Sequence, residues 1–132
     1  VDRDRQSRPN RYYRCLINEC GKCDISLYLS NPSIEFWFLL HFDRVRELSE
    51  TELDELCKNS RDDKSEKSYA ESLLDEVVGG YSKSHIEFER NYLNRVDDAI
   101  ENAESFDTEL TGLKDKPGSN LGRLLKRMRE NS

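Results

Sequence analysis

Nothing in this sequence is suited to a bilayer: it has no run of about 18 apolar residues, and its first residues lack the apolar core of a secretory signal. These absences lead to the expectation of a soluble, cytoplasmic protein with no membrane partner. An excess of positive charge is lacking too, with 21 Lys and Arg against 27 Asp and Glu and a net charge of -6. A uniformly basic nucleic-acid-binding surface is thereby excluded. Internal repeats are absent, as is a second pair of closely spaced cysteines. Cys15, Cys20 and Cys23 form a C-x4-C-x2-C run, which with Cys57 or His41 supplies enough ligands for zinc. Structural zinc sites usually present two close pairs on turns, so reduced thiols in a cytosolic protein are the favoured reading.

What positive charge there is gathers at the ends. Residues 1–22 are net +3 and residues 114–132 net +4, which leaves -13 for residues 23–113. If the ends meet, they form a local phosphate-attracting patch on an acidic protein; otherwise they are solvated helix faces. Hydrophobic residues make up 35% of the chain and charged ones 36%, so the apolar residues must be concentrated in a few segments. The densest is "SNPSIEFWFLLHF", residues 30–42, with a single carboxylate, Glu35. At 132 residues the chain suits one domain that buries roughly two-thirds of its unfolded surface.

"VDRD" reads as a strand end, and "NRYYRCLINECGK" as a helix, with Tyr12, Tyr13, Leu16 and Ile17 at helical spacing and Gly21 able to close it. In "DISLYLS", Ile25, Leu27 and Leu29 alternate with Ser26, Tyr28 and Ser30, the period of a strand. Strand, helix, strand predicts a crossover unit in which "SLYLS" pairs in parallel with "VDRD" through a right-handed connection. Asn31 and Pro32 suit an N-cap and a first helical position. "SIEFWFLLHFDRV" is then a helix apolar nearly all round, hence buried, with Trp37 and its neighbours as core. Glu35 falls in its first turn, where the helix dipole favours negative charge.

Downstream, Ser49 and Glu52 form a capping box ahead of "ELDELCKN", and "RDDKSEKS" reads as a polar linker. "YAESLLDEVVGGY" places Tyr69, Leu73 and Val77 on one face and stops at Gly79 and Gly80. The stripe Ile86, Leu93, Val96, Ile100 and Ala103 predicts one amphipathic helix. A last helix with Leu121, Leu124, Leu125 and Met128 follows "KPGSN", capped by Ser119 or Asn120. The expected fold class is α/β, a small parallel sheet flanked by helices, with residues 47–132 mainly helical.

Taken in order, "VDRDR", the strand with "SNPSIEFWFLLHF", "YSK" before a helix ending "DDAIENAE", and "GSNLGRLLKRM" resemble the C-terminal two-thirds of the RloB-like family. The most specific piece is S-N-P-x-x-E-F-W-x-L-L-H-F. That family includes abortive-infection proteins of restriction-modification and phage-defence operons, often beside an ATPase, and is similar to Toprim-type nucleases. The resemblance implies a small Toprim-like parallel sheet carrying a D-x-D at a strand end, here Asp2 and Asp4. It also implies an earlier Glu that lies outside these residues. The expectation is a single domain, 1–132, forming the C-terminal part of a longer protein and inactive by itself.

Residues i and i+2 at a strand end project to the same side, so Asp2 and Asp4 can share Mg²⁺ or Mn²⁺ while water completes the shell. Such an ion polarises a phosphoryl oxygen and activates a bound water, as phosphodiester cleavage requires. The implied function is a metal-dependent, nuclease-type subunit of antiphage defence acting on DNA or RNA. Asp2, Asp4 and Glu35 are its catalytic candidates, Asp2 and Asp4 its metal ligands. Glu35 either points to that crevice or serves only as a first-turn dipole partner. The alternative is a non-catalytic module whose acidic region 43–113 docks a partner ATPase. Tyr81 and Lys83, in a Gly-rich turn, read as phosphate binders or as loop surface charge. His41 reads as a hydrogen-bonded core histidine or a ligand, and Asn120 as a cap or an anion-binding helix start.

Overall fold

The structure, a computed structural model, describes residues 1–5 and 8–131. Among these the order is α1 (Asn10–Lys22), β1 (Ser30–Asn31), α2 (Ile34–Leu39), α3 (Glu50–Lys58), α4 (Tyr69–Val78), α5 (Phe88–Asn91), α6 (Val96–Ala103), α7 (Leu110–Leu113), β2 (Gly118–Ser119) and α8 (Leu121–Glu130). Single 3-10 turns occupy Asp43–Glu47 and Leu93–Arg95.

Local chemistry sets several boundaries. Ser49 Oγ accepts from Glu52 N at 3.2 Å and Glu52 Oε1 accepts from Ser49 N at 3.1 Å, closing the capping box of α3. These bonds satisfy donors that the helix itself leaves without partners. That helix stops at Asn59, left-handed at φ 48°. Ser68 starts α4 by accepting from Glu71 N, and Gly79, at φ 69°, ends it where a side chain would be strained. Cys23, not Gly21, closes α1.

At the centre lies α2, in which every residue but Ile34 is buried. Its apolar side chains point in all directions around the axis, so it is stable only when surrounded. It packs on α4 and α6, and its core includes Leu56, Leu73, Leu74, Tyr81, Tyr92 and Ile100. Phe36 meets Phe106 edge-on with ring centroids 5.2 Å apart, and Phe38 lies 4.8 Å from Tyr92. Each such buried side chain is worth about 1.5–3 kcal/mol. A smaller core joins Tyr13 of α1, Leu29 and Leu113 of α7.

The expected α/β fold with a parallel Toprim-like sheet is not what the chain adopts. The fold is mainly helical, and the strands β1 and β2 pair antiparallel, Ser30 with Ser119 and Asn31 with Gly118. The predicted parallel pairing shrinks to one bridge, Asp2 with Ser30. The alternation in "DISLYLS" marks an extended, half-buried segment without naming its partner. Ile25 stays 59% exposed. Asn120 Oδ1 accepts from Leu29 N at 2.8 Å while its Nδ2 donates to Leu27 O at 3.1 Å. One side-chain amide therefore occupies the place where a neighbouring strand would bond. At Gly118 a Cβ would collide with the Asp107 carbonyl, so glycine is required for β2 to sit there.

Three smaller expectations also change. Ser33, not Asn31, is the N-cap of α2; the Asn31–Pro32 bond is cis, and Asn31 Nδ2 instead donates to Leu113 O at 2.8 Å. The single amphipathic helix across 85–104 breaks into α5, a 3-10 turn and α6. Tyr92, off the predicted stripe, is buried against Phe38, His41 and Phe42, whereas Leu93 is 52% exposed. Burying that ring outweighs keeping the helical register. Because the Asn120 amide is spent on residues 27 and 29, it gives α8 no side-chain cap, and Leu121 N finds Ser119 Oγ at 3.3 Å. No described helix is long and apolar enough to cross a membrane.

Candidate functional site

The opening "DRDR" passes the start of α2 and sorts its side chains by alternation. Asp2 Oδ1 accepts from Ile34 N at 2.8 Å, satisfying a first-turn donor of α2. Arg3 and Arg5 turn the other way: Arg3 Nε donates to Lys114 O at 2.8 Å and Arg5 Nη2 to Asp115 O at 3.0 Å. Basic residues from the two ends of the chain thus meet.

Beside Asp2 lies Glu35, 2% exposed. Ser33 Oγ donates to its Oε1 at 3.3 Å and Tyr81 OH to its Oε2 at 3.1 Å. Lys83 Nζ is 3.8 Å from Glu35 Oε1 and 3.1 Å from Glu71 Oε1, so one ammonium serves carboxylates from α2 and α4. Ser68 Oγ donates to Glu71 Oε1 at 3.2 Å, and Arg61 lies 3.8 Å from the same oxygen. Burial pushes the Glu35 carboxyl above the usual carboxylate range; Lys83 and the Tyr81 bond pull it back, and the charges of Asp2 and Glu71 add to the rise. Burial likewise raises Asp2, against the bond from Ile34 and the attraction of Lys83, and the Asp4 charge raises it further. Burial and the adjacent Glu35 charge raise the Tyr81 hydroxyl, which stays a donor.

The structure therefore brings Asp2 and Glu35 together at the start of α2, with Asp4 close enough for its charge to act on Asp2. The excess proton affinity comes chiefly from burial and only secondarily from like charges. Among the described residues no three His, Cys, Asp or Glu side chains are grouped to hold a metal ion. All four cysteines are free; Cys57 is buried with Sγ 3.7 Å from Asp115 O, while Cys15 and Cys23 are exposed.

Tyr81 is buried against Glu35 and is not a surface group, whereas Lys83 keeps a 55% exposed side chain, as loop surface charge would, while its ammonium reaches Glu35 and Glu71. Glu71 escaped notice, although Ser68-x-x-Glu71 ahead of an apolar run is a capping signature. That spacing locates the cap but not the ion pair to Lys83, which depends on the turn after α4.

His41 is a core residue, 1% exposed, with Nδ1 at 3.0 Å from Trp37 O and 3.2 Å from Phe38 O. Burial lowers its pKa, the backbone bonds opposing. The unfolded chain therefore binds a proton below about 6.5 that the folded chain resists, so this stability is present above that pH and is lost as pH falls through it. Measured by urea denaturation, the advantage of wild type over His41→Asn is expected to shrink between pH 7.5 and 5.5. A pH-independent difference would refute a neutral, buried His41.

No curated protein and no solved structure matches the chain significantly. The family described as RloB-like protein matches residues 1–128. With nearly all of its length matched in this way, the chain belongs to the RloB-like family.

Proposed function

We propose that this RloB-like chain is part of a metal-dependent phosphodiesterase of antiphage defence, in which Asp2 and Asp4 hold Mg²⁺ or Mn²⁺. The observation that carries the reading is the meeting of Asp2 with Glu35, far apart in sequence, at one helix start where both carboxyls hold protons more tightly than usual. A bound cation relieves that cost. When bound, such an ion polarises a phosphoryl oxygen and lowers the pKa of a water. The chain's own residues do the rest. The Ile34 N–H orients Asp2. Glu35, buried and held by Tyr81 and Lys83, is a positioning residue: it holds Lys83, whose charge acts on Asp2, without touching substrate.

Mg²⁺ or Mn²⁺ is expected to raise the melting temperature by mass action, by about 1.4 kcal/mol of stability at ten times Kd. Asp4→Asn removes that gain while the metal-free melting point stays within a few degrees. Full metal stabilisation in Asp4→Asn, read by differential scanning fluorimetry with EDTA controls, would sink the assignment.

A second reading rests on a groove of about 600 Å³ whose lining includes Glu50, Leu53, Asp54, Phe106, Asp107 and one cation, Lys116. Its rim, three acids against one lysine, and its half-buried apolar floor suit a basic, apolar segment of a partner ATPase. Asp2→Asn with Asp4→Asn separates the two: loss of metal binding and of toxicity supports the phosphodiesterase, whereas retained phage resistance with an intact partner complex supports docking.

A further inference from the structure

Away from Glu35, Arg3, Arg5, Arg8, Pro9, Asn10 and Asp115 line a cavity of about 340 Å³. Arg3 is 3% exposed, an unusual burial for a guanidinium. Its Nε donates to Lys114 O at 2.8 Å, its Nη2 reaches Asn10 Oδ1 at 3.4 Å, and it stacks 4.3 Å from the Tyr13 ring centroid. Its Nη1, however, is buried with no hydrogen-bond partner. A buried donor on a cation is costly to leave unpaired, so it calls for an acceptor.

The surroundings specify that acceptor's charge. Arg5 donates to a backbone carbonyl, and Arg8 stacks on Tyr12 with its guanidinium 4.5 Å from the ring centroid. Among the described residues, the oxygens and rings that these three arginines meet are backbone carbonyls, the Asn10 amide and the Tyr12 and Tyr13 rings, while the charge of Asp4, like that of Arg3, reaches Tyr13. Asp115 is the acidic wall, and its carboxylate is already paired with Lys114 at 3.0 Å. The cavity also abuts the N-terminus of α1, a helix of 13 residues, where Pro9 offers no side-chain cap and the first turn holds no acid. The dipole and the donors of that turn add to the attraction. Arg8 N donates to Asp4 O at 3.2 Å.

We infer that this arginine cavity binds a phosphoryl group, with Arg3 as the buried anchor and Arg5 and Arg8 as the closing pair. Guanidinium forks match phosphate oxygens in geometry as well as charge. A nucleic-acid backbone and a terminal phosphate monoester share this chemistry. The inference is independent of the metal reading, because the arginines act without the carboxylates.

The test is run in EDTA, so failure of metal binding cannot mask it. Inorganic phosphate at constant ionic strength is expected to raise the melting temperature of the chain more than chloride does. Arg8→Gln and Arg5→Gln, combined, should weaken phosphate binding about tenfold or more, whereas Arg127→Gln, which removes a distant cation on α8, should leave it unchanged. Binding of a short oligothymidine with and without a 5′-phosphate then identifies the source. A requirement for the 5′-phosphate marks a monoester end; equal binding marks the backbone, and the double variant then flattens the salt dependence by about 1.4 log units per log unit of salt. The inference is overturned if phosphate does no more than chloride, if the double variant keeps the wild-type phosphate response, or if Arg127→Gln loses as much.

Discussion

Trp37→Ala is expected to cost about 3–5 kcal/mol and to lower the melting temperature by roughly 10–20 °C in a chain of this size. Trp37 is 6% exposed, lies edge-on to His41 at 5.1 Å, and reaches α8 near Gly122. Truncation opens a cavity between α2, α6 and α8 that the fixed neighbours cannot refill. The loss is a large part of the margin of an ordinary domain. Trp37→Phe, which keeps most of the aromatic volume, should recover a substantial share. An alanine variant melting within a few degrees of wild type would show that α2 does not organise the core.

Asn120→Ala is expected to cost about 2–4 kcal/mol, because two backbone groups lose their partner at once and Leu29 N is left buried and unpaired. The competing description, a plain N-cap of α8, predicts a smaller loss and a specific rescue. Serine is as good a cap as asparagine but cannot span Leu27 O and Leu29 N together. Asn120→Ser should therefore be nearly as damaging as Asn120→Ala, and the Leu29 amide should lose hydrogen-exchange protection in both. A serine variant with wild-type stability would return Asn120 to the role of a cap.

The two substitutions separate what is local from what is not. The burial of Trp37 was legible because a segment with no polar side has only one stable environment, whatever surrounds it. The role of Asn120 was not legible: an asparagine ahead of a helix has the same local signature whether its amide caps the next turn or reaches residues 91 and 93 positions earlier. Glu35 shows both halves. Its place in the first turn of α2 followed from Pro32 and the apolar run, but its partners Tyr81 and Lys83 come from a turn beyond α4. The D-x-D at Asp2 and Asp4 was visible as spacing. That Asp2 would bond to the start of α2 while Arg3 sank into an arginine cavity was not.

By itself the sequence determined the features decided within about one helical turn: the capping box of Ser49 and Glu52, the stop at Gly79, the helical, buried character of α2, and the ordered motifs that place the chain among RloB-like proteins. Tertiary structure decided what depends on a distant partner. It left "DISLYLS" without a parallel neighbour strand, turned the 85–104 stripe to bury Tyr92, and brought the basic ends together at Arg3, Arg5 and Lys114. The physical reason is range: caps and helical periodicity are settled by neighbours three or four residues away. Strand pairing, ion-pair choice and the desolvation that raises the pKa of Asp2 and Glu35 exist only once remote segments have packed.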